Sequence, residues 1–202
     1  MQKVLIFSIM ETDKLSVEKS FELINKVIAQ ARNRFEENGF IYMFWGALIA
    51  VASIGQFILL KNEFYEINWY PYLLMPVGGI YSWIYFSRKK ASSQNQISRI
   101  ISYAWIVLAL DMMIIGFLFW PALKENLVPV ILILLSVGIT ISGVSIQSKM
   151  LFLSGLFINV SAFICFKIEQ AFQPLAMGIV AIAAVFIPGV LLMIKHKRKS
   201  NV

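Results

Sequence analysis

From residue 40 onward the chain alternates long apolar runs with short polar breaks. Six runs stand out, near 40–60, 71–87, 100–122, 128–147, 150–166 and 173–194. A helix needs about 20 apolar residues to cross a bilayer, with a lower limit of about 17. Most of the runs approach the full length; the second and fifth sit near the limit. The pattern predicts an all-α fold: a polytopic membrane helix bundle with six transmembrane helices in one domain over residues 39–195. Pro76, Gly78 and Gly79 predict a kink in the second helix. Pro188-Gly189 predicts an irregularity near the inner end of the sixth.

Upstream, the period changes. Val17, Phe21, Ile24, Ile28, Ala31 and Phe35 are spaced 4, 3, 4, 3, 4, which places them on one stripe of a helix over residues 16–37. Glu22 and Lys26 form a favourable i, i+4 pair on the polar side. Asn38-Gly39 reads as a C-terminal stop. Residues 1–38 are thus expected to carry an N-terminal amphipathic cytoplasmic helix. It would lie on the inner headgroups of membrane lipids, or dock a cytosolic protein or a second copy of the chain. The opening MQKVLIFSI has an apolar run too short for a signal peptide and no small-residue cleavage site. Met10 is an alternative start.

Composition agrees with lipid as the main solvent. Of 202 residues, 59% are hydrophobic and 14% charged, against about 25% charged in soluble domains; the mean hydropathy is +0.75. The net charge of +7 would suggest nucleic acid in a soluble protein. Here the basic residues cluster at the ends of the runs, so a cytoplasmic membrane face accounts for them and no nucleic-acid partner is expected. Cys165, the single cysteine, cannot form an internal disulfide.

Lys and Arg also set the orientation. Fifteen of the 18 fall in the N-terminal region, the loops after the second and fourth runs, and the tail from Lys195 onward. The other side has three: Lys61, Lys124 and Lys167. This asymmetry places both termini in the cytoplasm, which an even number of spans requires. Tyr42, Trp45, Trp83, Tyr85, Tyr103 and Trp105 mark the inner interface; Tyr65, Trp69, Tyr70, Tyr72 and Trp120 mark the outer one. Every Trp and Tyr belongs to the first three spans or their loops, which weighs against a clean 3 + 3 repeat. Each outer loop does carry a Lys, a Glu and then a Pro: Lys61, Glu63, Pro71; Lys124, Glu125, Pro129; Lys167, Glu169, Pro174. Three stacked hairpins would produce this; ordinary juxtamembrane chemistry is the simpler account.

Enzymatic chemistry finds little support. His196 is the single histidine and sits in the basic tail, so one chain cannot build a His-based metal site or a Ser-His-Asp triad. No phosphate-binding, dinucleotide or metalloprotease motif occurs. No enzyme activity and no cofactor or metal is expected. Asn159-Val160-Ser161 matches a glycosylation pattern but lies mid-membrane. The Lys195–Lys199 stretch suits anionic lipid.

Small and polar residues within the runs are more informative. Gly46, Ala50 and Ser53 share one side of the first span; Ser136, Thr140 and Gly143 do so in the fourth, as do Gly138, Ser142 and Ser145; Gly155 and Asn159 lie in the fifth. Such stripes let helices approach closely and bond across. Asp111 is the one acidic or basic residue inside any run. A carboxylate at that depth costs roughly 2.5–3.5 kcal/mol even on the lenient insertion scale. Asp111, Asn159 and Ser136 lie about eleven, nine and eleven residues from the inner ends of their spans, within one turn of the same depth. The expectation is a candidate intramembrane polar site in which Asp111 faces the bundle near Asn159, Ser136 or Ser53. It would act as interhelical glue or as a proton- or cation-coupled site of a small transporter or channel.

The stretch from Phe21 to Leu60, with AQARNRFEENGFIYMFWGALIAVASIGQFIL at its heart, resembles a family of small uncharacterised bacterial inner-membrane proteins. The resemblance rests on an amphipathic helix, the turn Glu37-Asn38-Gly39, then Phe40, Tyr42 and the pair Trp45-Gly46. It implies several spans, a cytoplasmic N-terminus and a bacterial inner (plasma) membrane location. It brings no known reaction, so the expected role is a non-enzymatic structural or regulatory membrane component.

Overall fold

The computed structural model describes residues 19–30, 39–88 and 96–200. The alternative start at Met10, residues 16–18 and 31–37 of the N-terminal stripe, the stop at Asn38, and Lys89 and Lys90 lie outside the described residues. All regular structure among the described residues is helical: α1 (residues 19–30), α2 (Gly39–Lys61), α3 (Leu74–Arg88), α4 (Gln96–Leu118), the short α5 (Trp120–Leu123), α6 (Leu127–Ser145), α7 (Lys149–Cys165), α8 (Gln173–Ala181) and α9 (Ile187–Ser200). A π-helical turn, Ile182–Phe186, joins α8 to α9 without a break.

Four helical stretches are long and apolar enough to cross a membrane: Gly39–Lys61, Gln96–Leu118, Trp120–Ser145 and Gln173–Arg198. This is the architecture of a multi-pass membrane protein. The remaining two apolar runs also fold as helices but are shorter, 15 residues in α3 and 17 in α7. Large apolar side chains cover the outside, among them Trp83, Tyr103, Leu118, Leu153 and Phe163. Water would penalise such a surface, whereas lipid does not.

The six apolar helices pack in the spatial order α3, α2, the α8–α9 helix, α7, α6, α4. The tightest pairing is the α6–α7 hairpin. Leu132, Leu135 and Ile139 of α6 are buried with Leu151, Ile158, Ala162 and Cys165 of α7. Lipid gives helices no hydrophobic reason to associate, so close packing must supply the attraction. The glycines allow it. A Cβ on Gly155 would strike the Thr140 side chain and backbone, and one on Gly143 would lie 2.5 Å from the Phe152 nitrogen. Across the bundle, Gly189 admits the Met43 backbone and Gly46 that of Phe186.

Two irregularities were expected. The π turn ends just before Pro188, and the carbonyl that the proline ring would clash with, that of Ala184, lies inside it. The widened turn accommodates the ring. The second apolar run folds as one continuous helix, α3, from Leu74 to Arg88. Pro76 is its third residue, and a first-turn N–H has no intrahelical acceptor to lose. A 3-10 turn, Tyr70–Leu73, precedes it.

Candidate intramembrane polar site

Of the residues singled out for their depth, Asn159 and Ser136 meet. The Asn159 amide donates to the Ser136 hydroxyl at 3.1 Å, and that hydroxyl donates to the Ile133 carbonyl at 2.7 Å. This joins α7 to α6 in the middle of the tightest hairpin. Ser53 lies elsewhere. Fully buried on α2, it shares a hydrogen bond of 3.3 Å with the Tyr72 hydroxyl, which also reaches the Met177 sulfur at 3.9 Å. Nearby, the Gln56 amide nitrogen donates to the Asn68 side chain at 3.2 Å. The Gln56 carbonyl oxygen is enclosed without a partner among the described residues.

Asp111 joins neither group, and the expectation that it faces the bundle is corrected. It is exposed and has no hydrogen-bond partner among the described residues. The reason is the position of the stripe with which α4 grips α6. Ile97, Ile101, Trp105, Leu108 and Met112, spaced 4, 4, 3, 4, form that stripe. Asp111 precedes Met112 by one residue, about 100° round the helix, and so lies on its uncovered flank.

A second polar arrangement escaped the sequence reading. The Trp45 indole donates to Ser82 at 3.0 Å, tying α2 to α3. The Trp105 indole donates to Ser142 at 2.9 Å, tying α4 to α6. Each pair is 37 residues apart. Each indole also lies over a glycine, together with a leucine: Trp45 and Leu48 over Gly78, Trp105 and Leu108 over Gly138. All four positions of the second set follow those of the first by 60 residues. Hairpin α2–α3 and hairpin α4–α6 are therefore built on one pattern, W-x-x-L followed by G-x-x-x-S. The sequence held the signal as VGGIYS at 77–82 and VGITIS at 137–142, at one fixed offset. In α6, Ser142 also donates to the Gly138 carbonyl at 2.8 Å, and Tyr42 of α2 sits edge-on to Trp105, with ring centres 6.2 Å apart.

Two hollows open at the helix ends that carry most of the basic residues. One, of about 400 Å³, is lined by Gln147, Ser148, Lys149, Met150, Leu191, Leu192 and Lys195. The other, of about 320 Å³, lies beside Tyr81, Ile84, Tyr85 and Arg88. Neither includes Asp111 or Asn159. Among the described residues no group of three His, Cys, Asp or Glu is placed to hold a metal ion. Compared with protein-family models, with curated proteins and with solved structures, the chain matches none.

Proposed function

We propose that this chain is a six-span, non-enzymatic component of a bacterial inner membrane, with both termini in the cytoplasm, and that it serves a structural or regulatory role through partners. The observation that carries this reading is the engagement of serine hydroxyls between neighbouring helices. Ser82, Ser136 and Ser142 are each held by a donor from a neighbouring helix, and Ser53 by the Tyr72 hydroxyl just ahead of α3. Hydroxyls so engaged join helices and do not line a path. The N-terminal helix deepens the reading. Phe21, Leu23 and Ile24 of α1 are exposed, an apolar surface offered to lipid headgroups, to a cytosolic protein or to another copy.

Two measurements test it. Cysteine labelling from outside the cell should modify a probe at Asn68 or Asn126 and spare one at Ser93; labelling at Ser93 would reverse the orientation. Purified protein in liposomes should carry no proton or cation flux above that of empty vesicles. A flux that Asp111→Asn abolished would replace the scaffold reading with the alternative of a small coupled transporter or channel.

A further inference from the structure

The two ends of the helix bundle differ in charge, and one of them lacks counter-ions. After residue 38 the acidic residues are Glu63, Glu66, Glu125 and Glu169, all in the loops of one end, and Asp111 within α4. The opposite end carries nine Lys and Arg, at 88–90, 99, 149, 195 and 197–199, and no acidic residue of the membrane domain. The first 38 residues hold six of each sign and so balance themselves. The excess positive charge at this end is therefore balanced from outside the chain.

The larger hollow gives part of that excess a shape. About 400 Å³ in volume, it lies between the start of α7 and the middle of α9. Lys149 lines it from α7 and Lys195 from α9, above an apolar part made by Met150, Leu191 and Leu192. None of its lining residues is acidic. Ser148 also lines it, and its side chain makes no capping bond to α7. The other hollow at this end has one cation, Arg88, so it offers an anion half the charge.

We infer that this hollow binds the phosphate of one anionic phospholipid headgroup, with Lys149, Lys195 and Ser148 as its donors. Basic recesses between membrane helices hold such headgroups, because each lysine near the surface adds attraction for negative charge. Two lysines from different helices fix the phosphate at one place, whereas the basic tail alone would attract lipid diffusely. The inference rests on α7 and α9 meeting one face of a bilayer, not on the role proposed above.

The residues deeper along both helices select a lipid over a soluble phosphate. On α9, Leu191 and Ile187 precede Lys195 at intervals of four and are 48% and 47% exposed. On α7, Leu153 and Phe157 follow Lys149 at the same interval and are 62% and 50% exposed. Four residues advance a helix by about 6 Å and return to nearly the same side. Each lysine thus heads an uncovered apolar stripe that descends about 12 Å into the membrane. Leu191 belongs to both the hollow and its stripe. A soluble phosphate would use the cations alone; a phospholipid uses the cations and lays its acyl chains along the stripes.

The test uses the full chain in a neutral detergent, titrated with phosphatidylglycerol or phosphatidylcholine, with bound lipid counted by native mass spectrometry. The parent should retain one phosphatidylglycerol in preference to phosphatidylcholine. Lys149→Gln with Lys195→Gln should weaken that binding by about thirtyfold, as expected for the loss of two lysine attractions. Both side chains are exposed, so the packing stays intact, and continued protection of Cys165 from a thiol dye checks it. Lys149→Arg with Lys195→Arg should bind like the parent. Arg99→Gln with Arg198→Gln removes the same charge from the same end but outside the hollow, and should cost about threefold at most because salt screens distant charges. Equal retention of the two lipids, or equal losses from the two double-glutamine variants, would overturn the inference. Displacement of the lipid by millimolar glycerol phosphate would overturn it too, by giving the hollow to a soluble phosphate ester.

Discussion

Hairpins α2–α3 and α4–α6 share an indole, a leucine, a glycine and a serine at matching places, yet they are buried in opposite senses. In the first, the leading helix is central: α2 packs on α3 on one side and on the α8–α9 helix on the other. In the second, the returning helix is central: α6 lies between α4 and α7. The burial follows. Of the most apolar stretch of each span, 28% is buried in α2 and only 6% in α4, against 44% in the span that contains α6. One local pattern therefore fixes how two antiparallel helices hold each other and leaves open which of them faces the rest of the protein. In lipid this freedom is cheap, because an uncovered apolar helix is already well solvated.

Exchanging the residue that differs at matching positions should give the largest effect. Val51→Asp places on α2 the carboxyl group that α4 carries. It should reduce membrane insertion of α2 by about 2.5–3.5 kcal/mol, read as the inserted fraction in a glycosylation-mapping assay. Asp111→Val should raise insertion of α4 by a similar amount. Equal insertion of all four forms would mean that the two positions do not share a lipid-facing environment.

The glycines come next. A Cβ at Gly138 meets Leu108 at 2.9 Å and the Trp105 ring at 3.1 and 3.2 Å, so the rigid indole must move. At Gly78 the close contact, 2.6 Å, is with the end of the Leu48 side chain, while the Trp45 ring stays 3.4 Å away. Gly138→Ala should therefore destabilise by about 1–3 kcal/mol, the usual cost of overpacking, and Gly78→Ala by less. Thermal exposure of Cys165, buried within α7, to a thiol-reactive dye measures both. Gly116→Ala, with nothing within 4 Å of the added carbon, is the neutral control.

The smallest effect should come from the indole hydrogen bonds. Trp105→Phe keeps a ring and removes the donor to Ser142. Because Ser142 still donates to the Gly138 carbonyl, the loss should be near the membrane average of about 0.6 kcal/mol. Ser82 is only half-buried, on the peripheral helix α3, so Trp45→Phe should cost no more. The same thermal assay ranks the two, and a larger loss for Trp45→Phe would show that the first hairpin depends on its bond more than the second.

The sequence by itself determined the helices. Each apolar run became a helix within a few residues of its expected ends, because run length and polar breaks are local properties and lipid forces backbone bonding to be local as well. It also placed Asn159 and Ser136 at one depth, since depth follows from residue count along a rigid rod. What only the tertiary structure decided is rotation about those rods and which rods are neighbours. Asp111 was expected inward on grounds of cost. Yet the grip of α4 on α6 through Trp105, Leu108 and Met112 turned it outward, and one chain held no competing contact to turn it back. Ser53 has the same polarity as Ser136, but α2 carries it to Tyr72 and Met177 because α2 packs on the α8–α9 helix. Residue spacing fixes positions along a helix; the helix that comes to lie alongside decides which of them meet.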